Sequence, residues 1–209
     1  MASAQPSKRS RRSVREESRA VYREAIVEAA MRIFGRTGFH ETKIADIATE
    51  AGVATGTLYN YFSSKEEIFE SILDDGRACL AAALAEKASV EDPLARMREV
   101  VKVMFEFLEE HGMLFTMYMQ LGANPMDLKR ANDAGDEEFR QQLLGLLAGS
   151  IAEAGERMRP DFSAETLAWV FGGLIHGAIT EWIVGGCQPG LRTRTDTIME
   201  LFLNGATPR

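Results

Sequence analysis

Apolar residues recur three and four positions apart along almost the whole chain, and no run of alternating apolar and polar residues competes with that period. A chain patterned this way folds as helices packed on helices, so the sequence predicts an all-α protein. Glycine, proline and capping residues cut the apolar stripe into about nine helical segments.

Residues 20–36 set Ala25, Ile26, Ala29, Ala30, Ile33 and Phe34 at helical spacing and stop at Thr37-Gly38, a helix C-terminal signal. Thr42 is placed to cap a short second helix over 43–51, which buries Ile44, Ile47, Ala48 and Ala51 and ends at Gly52-Val53. A third helix begins near Thr55 and runs to about Tyr61. Two short helices joined by a tight glycine-containing turn predict a helix-turn-helix. Ser63 or Ser64 caps a long fourth helix toward Lys87, with Glu66 and Glu67 suited to its positive end. Asp92-Pro93 opens a fifth, striped by Leu94, Met97, Val101, Met104 and Leu108 and closed at His111-Gly112. A short apolar segment at 113–121, a long helix from Asn124-Pro125 to about Ala154, and helices over 163–184 and 195–204 complete the set. The expected organisation is a flexible basic arm (1–17), a helix-turn-helix unit (18–64) and a helical C-terminal body (65–209).

The net charge of −7 argues at first against a polyanionic partner. The charge is unevenly spread, however: 11 bases meet 10 acids through residue 70, whereas 13 bases meet 21 acids beyond it. Salt screens exposed charge over about 8–10 Å, so a local basic surface acts independently of a distant acidic body. Residues 1–15 of the arm hold Lys8, Arg9, Arg11, Arg12 and Arg15 without an acid; the arm reads either as a solubilising tail or as a minor-groove or backbone contact beside the helix-turn-helix. The apolar stretches 100–108 and 167–184 are interrupted by Lys102, Glu106 or Glu181 and by glycines, so neither reads as a membrane span. The basic N-terminus lacks the apolar core of a secretory signal. Cys79 and Cys187 lie far apart, without metal-type spacing, and read as reduced thiols. A cytoplasmic protein with no membrane partner, metal or cofactor is expected.

On a helical wheel of about 100° per residue, Leu58 and Phe62 share the inward side of the third helix, while Gly56, Thr57, Tyr59 and Asn60 take the remaining arc with Tyr61 on its flank. Outward phenols suit phosphate oxygens and sugars. Gly56 lets backbone approach bases, and Thr57 offers a hydroxyl and a methyl to a base edge. Lys43 and Lys65 bracket the helix with positive charge. Other readings stand beside these: Thr55 and Thr42 as caps, and Tyr61 packed on the fourth helix.

The stretch TKIADIATEAGVATGTLYNYFSSKEEIF, residues 42–69, closely resembles the DNA-binding segment of TetR-family transcriptional regulators, in its Ile-Ala-x-x-Ala-Gly-Val turn, Thr-Leu-Tyr core, Tyr-Phe pair and following Ser-Lys. The resemblance extends more weakly over the rest of the chain, including AAMRIFGRTGFHET and DTIMELFLNGA. It implies that Thr57, Tyr59, Tyr61 and Lys65 touch DNA and that Thr42 combines capping with a phosphate contact. The full expected DNA-binding set is Thr42, Lys43, Thr55, Gly56, Thr57, Tyr59, Asn60, Tyr61 and Lys65.

A single helix-turn-helix reads few base pairs, so a homodimer on a double-stranded palindromic operator is expected. The resemblance puts the two-fold interface on the last two helices, through Leu167, Phe171, Leu174, Ile175, Ile198 and Phe202; packing within one subunit is the other reading of those residues. Gly172, Gly173 and Gly177 are costly inside a helix by about 1 kcal/mol each, which points to close helix approach. The body is rich in methionine and aromatics, which fill cores and also line adaptable pockets. The resemblance implies a small, mainly hydrophobic effector there, with Met104, Phe105, His111, Phe115, Tyr118, Met119, His176 and Trp182 as candidate contacts. A ligand-responsive repressor is thus the leading reading. An effector-independent DNA-bound factor is the alternative; an all-α enzyme has little support, since three isolated histidines bring no nucleophile, metal or phosphate-loop motif.

Overall fold

The protein, seen in a computed structural model, is described over residues 8–112, 134–188 and 190–207. Among the described residues there are eight α-helices and no strand: α1 (Lys8–Thr37), α2 (Ile44–Glu50), α3 (Thr55–Leu58), α4 (Lys65–Lys87), α5 (Pro93–Glu110), α6 (Ala134–Ala154), α7 (Ala164–Val184) and α8 (Thr195–Ala206). The expected segment at 113–121 and the expected helix start at Asn124 lie outside the described residues. The chain divides into two compact units, Met1–Asp75 and Gly76–Arg209, so the division falls within α4 rather than at the expected 64/65.

In the first unit α1 begins at Lys8, not near Ala20. The expected flexible arm is therefore helical from Lys8 onward. No glycine or proline occurs from Ser7 to Phe34, and the arginines and glutamates there are good helix formers, so the helix continues without an apolar stripe to announce it. Its apolar face, Ile26, Ala29, Ala30, Ile33 and Phe34, is buried with Phe39, Ile47, Leu58, Phe62, Ile68, Phe69 and Ile72. Phe34, Phe39 and Phe69 form the centre, with ring centroids 5.2 Å (Phe34–Phe39), 6.0 Å (Phe34–Phe69) and 5.4 Å (Phe39–Phe69) apart. Burying each such ring stabilises the fold by roughly 1.5–3 kcal/mol. The α2–α3 turn is a Schellman motif: Gly52 N–H donates to Thr49 O (3.1 Å) and Val53 N–H to Ala48 O (2.9 Å). It needs the left-handed backbone of Gly52 (φ 68°), which is why glycine stands there.

The second unit buries Met97, Val100, Val101, Met104, Phe105 and Leu108 of α5 against Leu147 and Ile151 of α6, Leu167, Phe171, Ile175 and Trp182 of α7, and Ile198, Met199 and Phe202 of α8. Asp92 caps α5, accepting from Ala95 N–H at 2.8 Å, with Pro93 in the first turn. Ser163 caps α7 by accepting from Thr166 N–H at 3.2 Å. The loop before α8 is held by Glu109, whose carboxylate accepts from the N–H groups of Gly190 (2.6 Å) and Arg192 (3.3 Å) and from the Arg192 guanidinium.

By length and composition α7 is apolar enough to cross a membrane, with a mean hydropathy of 1.4, contrary to the expectation that this stretch does not read as a span. Its inner stripe of Leu167, Phe171, Ile175 and Trp182 lies in the core of the second unit and accounts for only part of that hydropathy, since Trp169, Val170 and Val184 are exposed.

Candidate nucleic-acid interface

The helix-turn-helix forms around three anchors. Ile47 and Ala48 fix α2, Leu58 fixes α3, and Phe62 fixes the segment after it, all buried. Arg32 and Arg36 of α1 donate to Glu50 of α2 at 2.9 and 2.7 Å. The Arg36 hydrogen bond, and then that of Arg32, hold the Glu50 carboxyl below the usual carboxylate range. α4 starts on Ser64, whose hydroxyl accepts from Glu67 N–H (3.1 Å), while the Glu67 carboxylate accepts from the N–H and hydroxyl of Ser63, both at 2.6 Å. That reciprocal pairing is a capping box shifted by one residue, and it fulfils the expected serine cap.

α3 is shorter than the expected 55–61. After Leu58 the chain tightens, with Asn60 N–H donating to Thr57 O (3.1 Å) and Tyr61 N–H to Leu58 O (2.9 Å). One further α-type bond follows, Phe62 N–H donating to Leu58 O (3.1 Å), before Ser64 begins the next cap. Thr55, Gly56, Tyr59 and Asn60 are exposed, Thr57 and Tyr61 are half-buried, and Lys43 is exposed at the start of α2. Tyr59 is 54% exposed. A Cβ on Gly56 would meet nothing within 4 Å among the described residues, so no packing among them requires glycine there. Tyr61 packs on α1, its ring 6.1 Å from Tyr22 with the Arg19 guanidinium 5.9 Å away. Arg19 and Tyr22 extend this surface and were not among the expected residues; only the charge and aromaticity of an exposed first helix signalled them.

Two expected residues are engaged differently. Thr42 does not cap α2, because Lys43 occupies the N-cap position. The Thr42 side chain is buried, its hydroxyl donating to Gly38 O (2.7 Å) and pairing with the Thr37 hydroxyl (2.9 Å). Lys65 is turned inward, its ammonium donating to the carbonyls of Phe39, His40 and Thr42 at 2.8, 3.0 and 3.1 Å.

Five of the expected effector residues are among the described residues of the second unit. Met104, Phe105 and Trp182 are buried in the core, and the Trp182 indole already donates to Gln188 O at 2.5 Å. His111 stacks on Phe107, centroids 4.3 Å apart, with Nδ1 2.9 Å from the Phe107 carbonyl. His176 pairs with the Thr180 hydroxyl at 3.1 Å, and partial burial lowers its pKa. Phe115, Tyr118 and Met119 lie outside the described residues. An apolar recess of about 180 Å³ opens instead between α4 and α6, lined by Ala81, Leu84, Ala85, Phe139, Leu143 and Leu146 with Gln142 as its polar member.

The expected interface residues Leu167, Phe171, Ile175, Ile198 and Phe202 are buried in the subunit's own core, and Leu174 packs against it. Packing within one subunit, the other reading of these residues, describes Leu167, Phe171, Ile175, Ile198 and Phe202, whereas Leu174 is only half-buried. α7 carries two apolar stripes, and periodicity alone does not tell which faces inward. The outward one holds Trp169, Val170 and Val184, 60%, 54% and 81% exposed, and α8 adds Leu201 at 58%. Gly172 faces Leu144 of α6 at 3.6 Å from a built Cβ, whereas Gly173 and Gly177 meet nothing within 4 Å.

Residues 26–72 match the family described as bacterial regulatory proteins, tetR family. The Fatty acid metabolism regulator protein of Bacillus subtilis (strain 168) is 24% identical over 185 residues, covering 86% of this chain and 93% of the relative. The HTH-type transcriptional repressor BepR of Brucella suis biovar 1 (strain 1330) is 28% identical over 170 residues, 78% of this chain and 81% of BepR. Among solved structures, the transcriptional regulator FadR from Bacillus subtilis in complex with stearoyl-CoA superposes with a TM-score of 0.71 at 22% identity, over 87% of this chain and 98% of that one. That likeness is one of fold.

Proposed function

A transcriptional regulator of the TetR family, this chain acts, we propose, as a homodimeric repressor that grips a palindromic operator and lets go when an apolar effector enters its C-terminal unit. The observation that carries the DNA-binding part is Gly56. A helical glycine is disfavoured by about 1 kcal/mol against alanine, and nothing among the described residues would meet a Cβ there, which favours a requirement from a close-approaching partner. A duplex is the partner that fits, because the same short element presents Thr55, Thr57, Tyr59 and Asn60, with Tyr61 and Lys43 at its borders.

Dimerisation is assigned to the outward stripe of α7, with Trp169, Val170 and Val184 around Gly173 and Gly177, and to Leu201 of α8. Exposed large apolar side chains beside glycines with open space suit a closely approaching helix from a second copy. Two copies then present α3 to successive major grooves, about 34–36 Å apart.

The recess between α4 and α6 supports the effector reading. At about 180 Å³ it holds a group little larger than benzene, so it accommodates part of a ligand such as the end of an alkyl chain. The fold neighbour in complex with stearoyl-CoA makes long-chain acyl compounds the first class to test. Repression and release require the effector to favour the state that does not bind DNA; equal affinity for both states would shift nothing. The experiment is selection of duplexes from a random-sequence pool, followed by titration of the complex with acyl-CoA esters, free fatty acids and short polar controls. Release by the acyl compounds alone is expected. Tight binding that no compound relieves favours the effector-independent factor, and failure to select any duplex removes the DNA-binding reading.

A further inference from the structure

The geometry points to Lys65 as a positioning residue that acts on DNA only through Lys43, an assignment that rests on the DNA-binding reading above. A lysine ammonium has three N–H donors. Here all three are engaged, by Phe39 O at 2.8 Å, His40 O at 3.0 Å and Thr42 O at 3.1 Å, and the nitrogen also sits 4.6 Å from the centre of the Phe39 ring. A phosphate contact would have to break one of these bonds. The three carbonyls belong to the turn between α1 and α2.

The third bond explains what the clasp controls. The peptide unit joining Thr42 to Lys43 gives its carbonyl to Lys65 and its N–H to the Asp46 carboxylate (3.4 Å). It is therefore held at both ends, and below it the buried Thr42 hydroxyl is tied to Gly38 O. Lys43 is the exposed N-cap of α2, and the direction of its side chain is set by that fixed peptide. Lys65 thus fixes the site from which Lys43 reaches a phosphate while remaining itself engaged with the protein.

A double-mutant cycle tests this on the full-length protein, using a duplex that wild type selects from a random pool and reading the slope of log affinity against log salt. Lys43→Ala is expected to flatten the slope by about one unit. Lys65→Met is expected to do the same and to weaken binding about tenfold, because it releases Lys43. The double variant is expected to match either single variant. A double variant whose slope falls by about two would make Lys65 an independent phosphate contact and overturn the assignment. A Lys65→Met slope equal to wild type, with Lys43→Ala still fully effective on top of it, would reduce Lys65 to a general structural role and overturn it as well. Lys65→Arg runs beside these in case Lys65→Met does not fold. A planar guanidinium keeps the charge and any phosphate contact but spreads its donors over a longer, flat fork and cannot aim three from one atom at the converging carbonyls, so it should reproduce the flattened slope; wild-type behaviour from Lys65→Arg would contradict the clasp. If wild type binds no duplex, the DNA-binding reading has failed, and that outcome is separate from every result of the cycle.

Discussion

α3 and α7 pose the same problem and differ in how the sequence resolves it. α3 buries one residue, Leu58, and the rest of its surface is glycine and polar groups, so its inward and outward faces differ in chemistry. α7 is apolar on both sides, with Phe171 and Ile175 inside and Trp169 and Val170 outside. Where folding and partner recognition draw on different residue types, a sequence separates them. Where both draw on apolar side chains, only the packed structure does.

The sharpest way to break this comparison is to treat the two stripes of α7 separately. Phe171→Ala should destabilise the protein by about 3–5 kcal/mol in a thermal or denaturant melt, because it opens a cavity in the core. Val170→Glu, one position away, should leave the fold intact yet convert dimer to monomer in sedimentation and weaken operator binding by more than tenfold. Equal destabilisation by both would dissolve the distinction between inner and outer stripes.

A smaller effect sharpens the comparison through acids. Burial alone would raise the Glu109 pKa, but the hydrogen bond from Arg192 and those from the Gly190 and Arg192 N–H groups outweigh it, leaving the carboxyl below its ordinary 4.5. A depressed acid contributes stability that is complete above about pH 4.5 and fades as pH falls through the folded-state value. Glu109→Gln should therefore cost roughly 1.5–3 kcal/mol at neutral pH and flatten the acid limb of a stability-against-pH curve. Glu50, in the first unit, is held low by Arg36 and Arg32 at a position only half-buried, so Glu50→Gln should alter that limb less.

Legibility followed the same physics within each unit. Gly52, the Ser64 cap and the Asp92-Pro93 start were readable because each local conformation admits few residue types. The inward Leu58–Phe62 pair and the outward Tyr59 followed from helical spacing. Thr42 misled, since a threonine before a helix looks the same whether its hydroxyl caps the helix or turns back to Gly38. The Lys65 clasp was hidden for a related reason, as its carbonyl partners lie 23 to 26 positions away in sequence and carry no side-chain signature. The start of α1 was hidden because a polar helix lacks the periodic stripe that marks the others. The recess between α4 and α6 arises from two helices far apart in the chain, so neither segment alone announces it.

The most direct test of the central claim, that the outward surface of α3 meets DNA, is Gly56→Leu, read by thermal melting and by affinity for the selected duplex on the same sample. With nothing within 4 Å of the new Cβ, the melting temperature should hold or rise, in keeping with the preference of about 1 kcal/mol for leucine over glycine in a helix, while duplex binding is lost. A variant that melts like wild type and still binds the duplex with wild-type affinity would contradict the account.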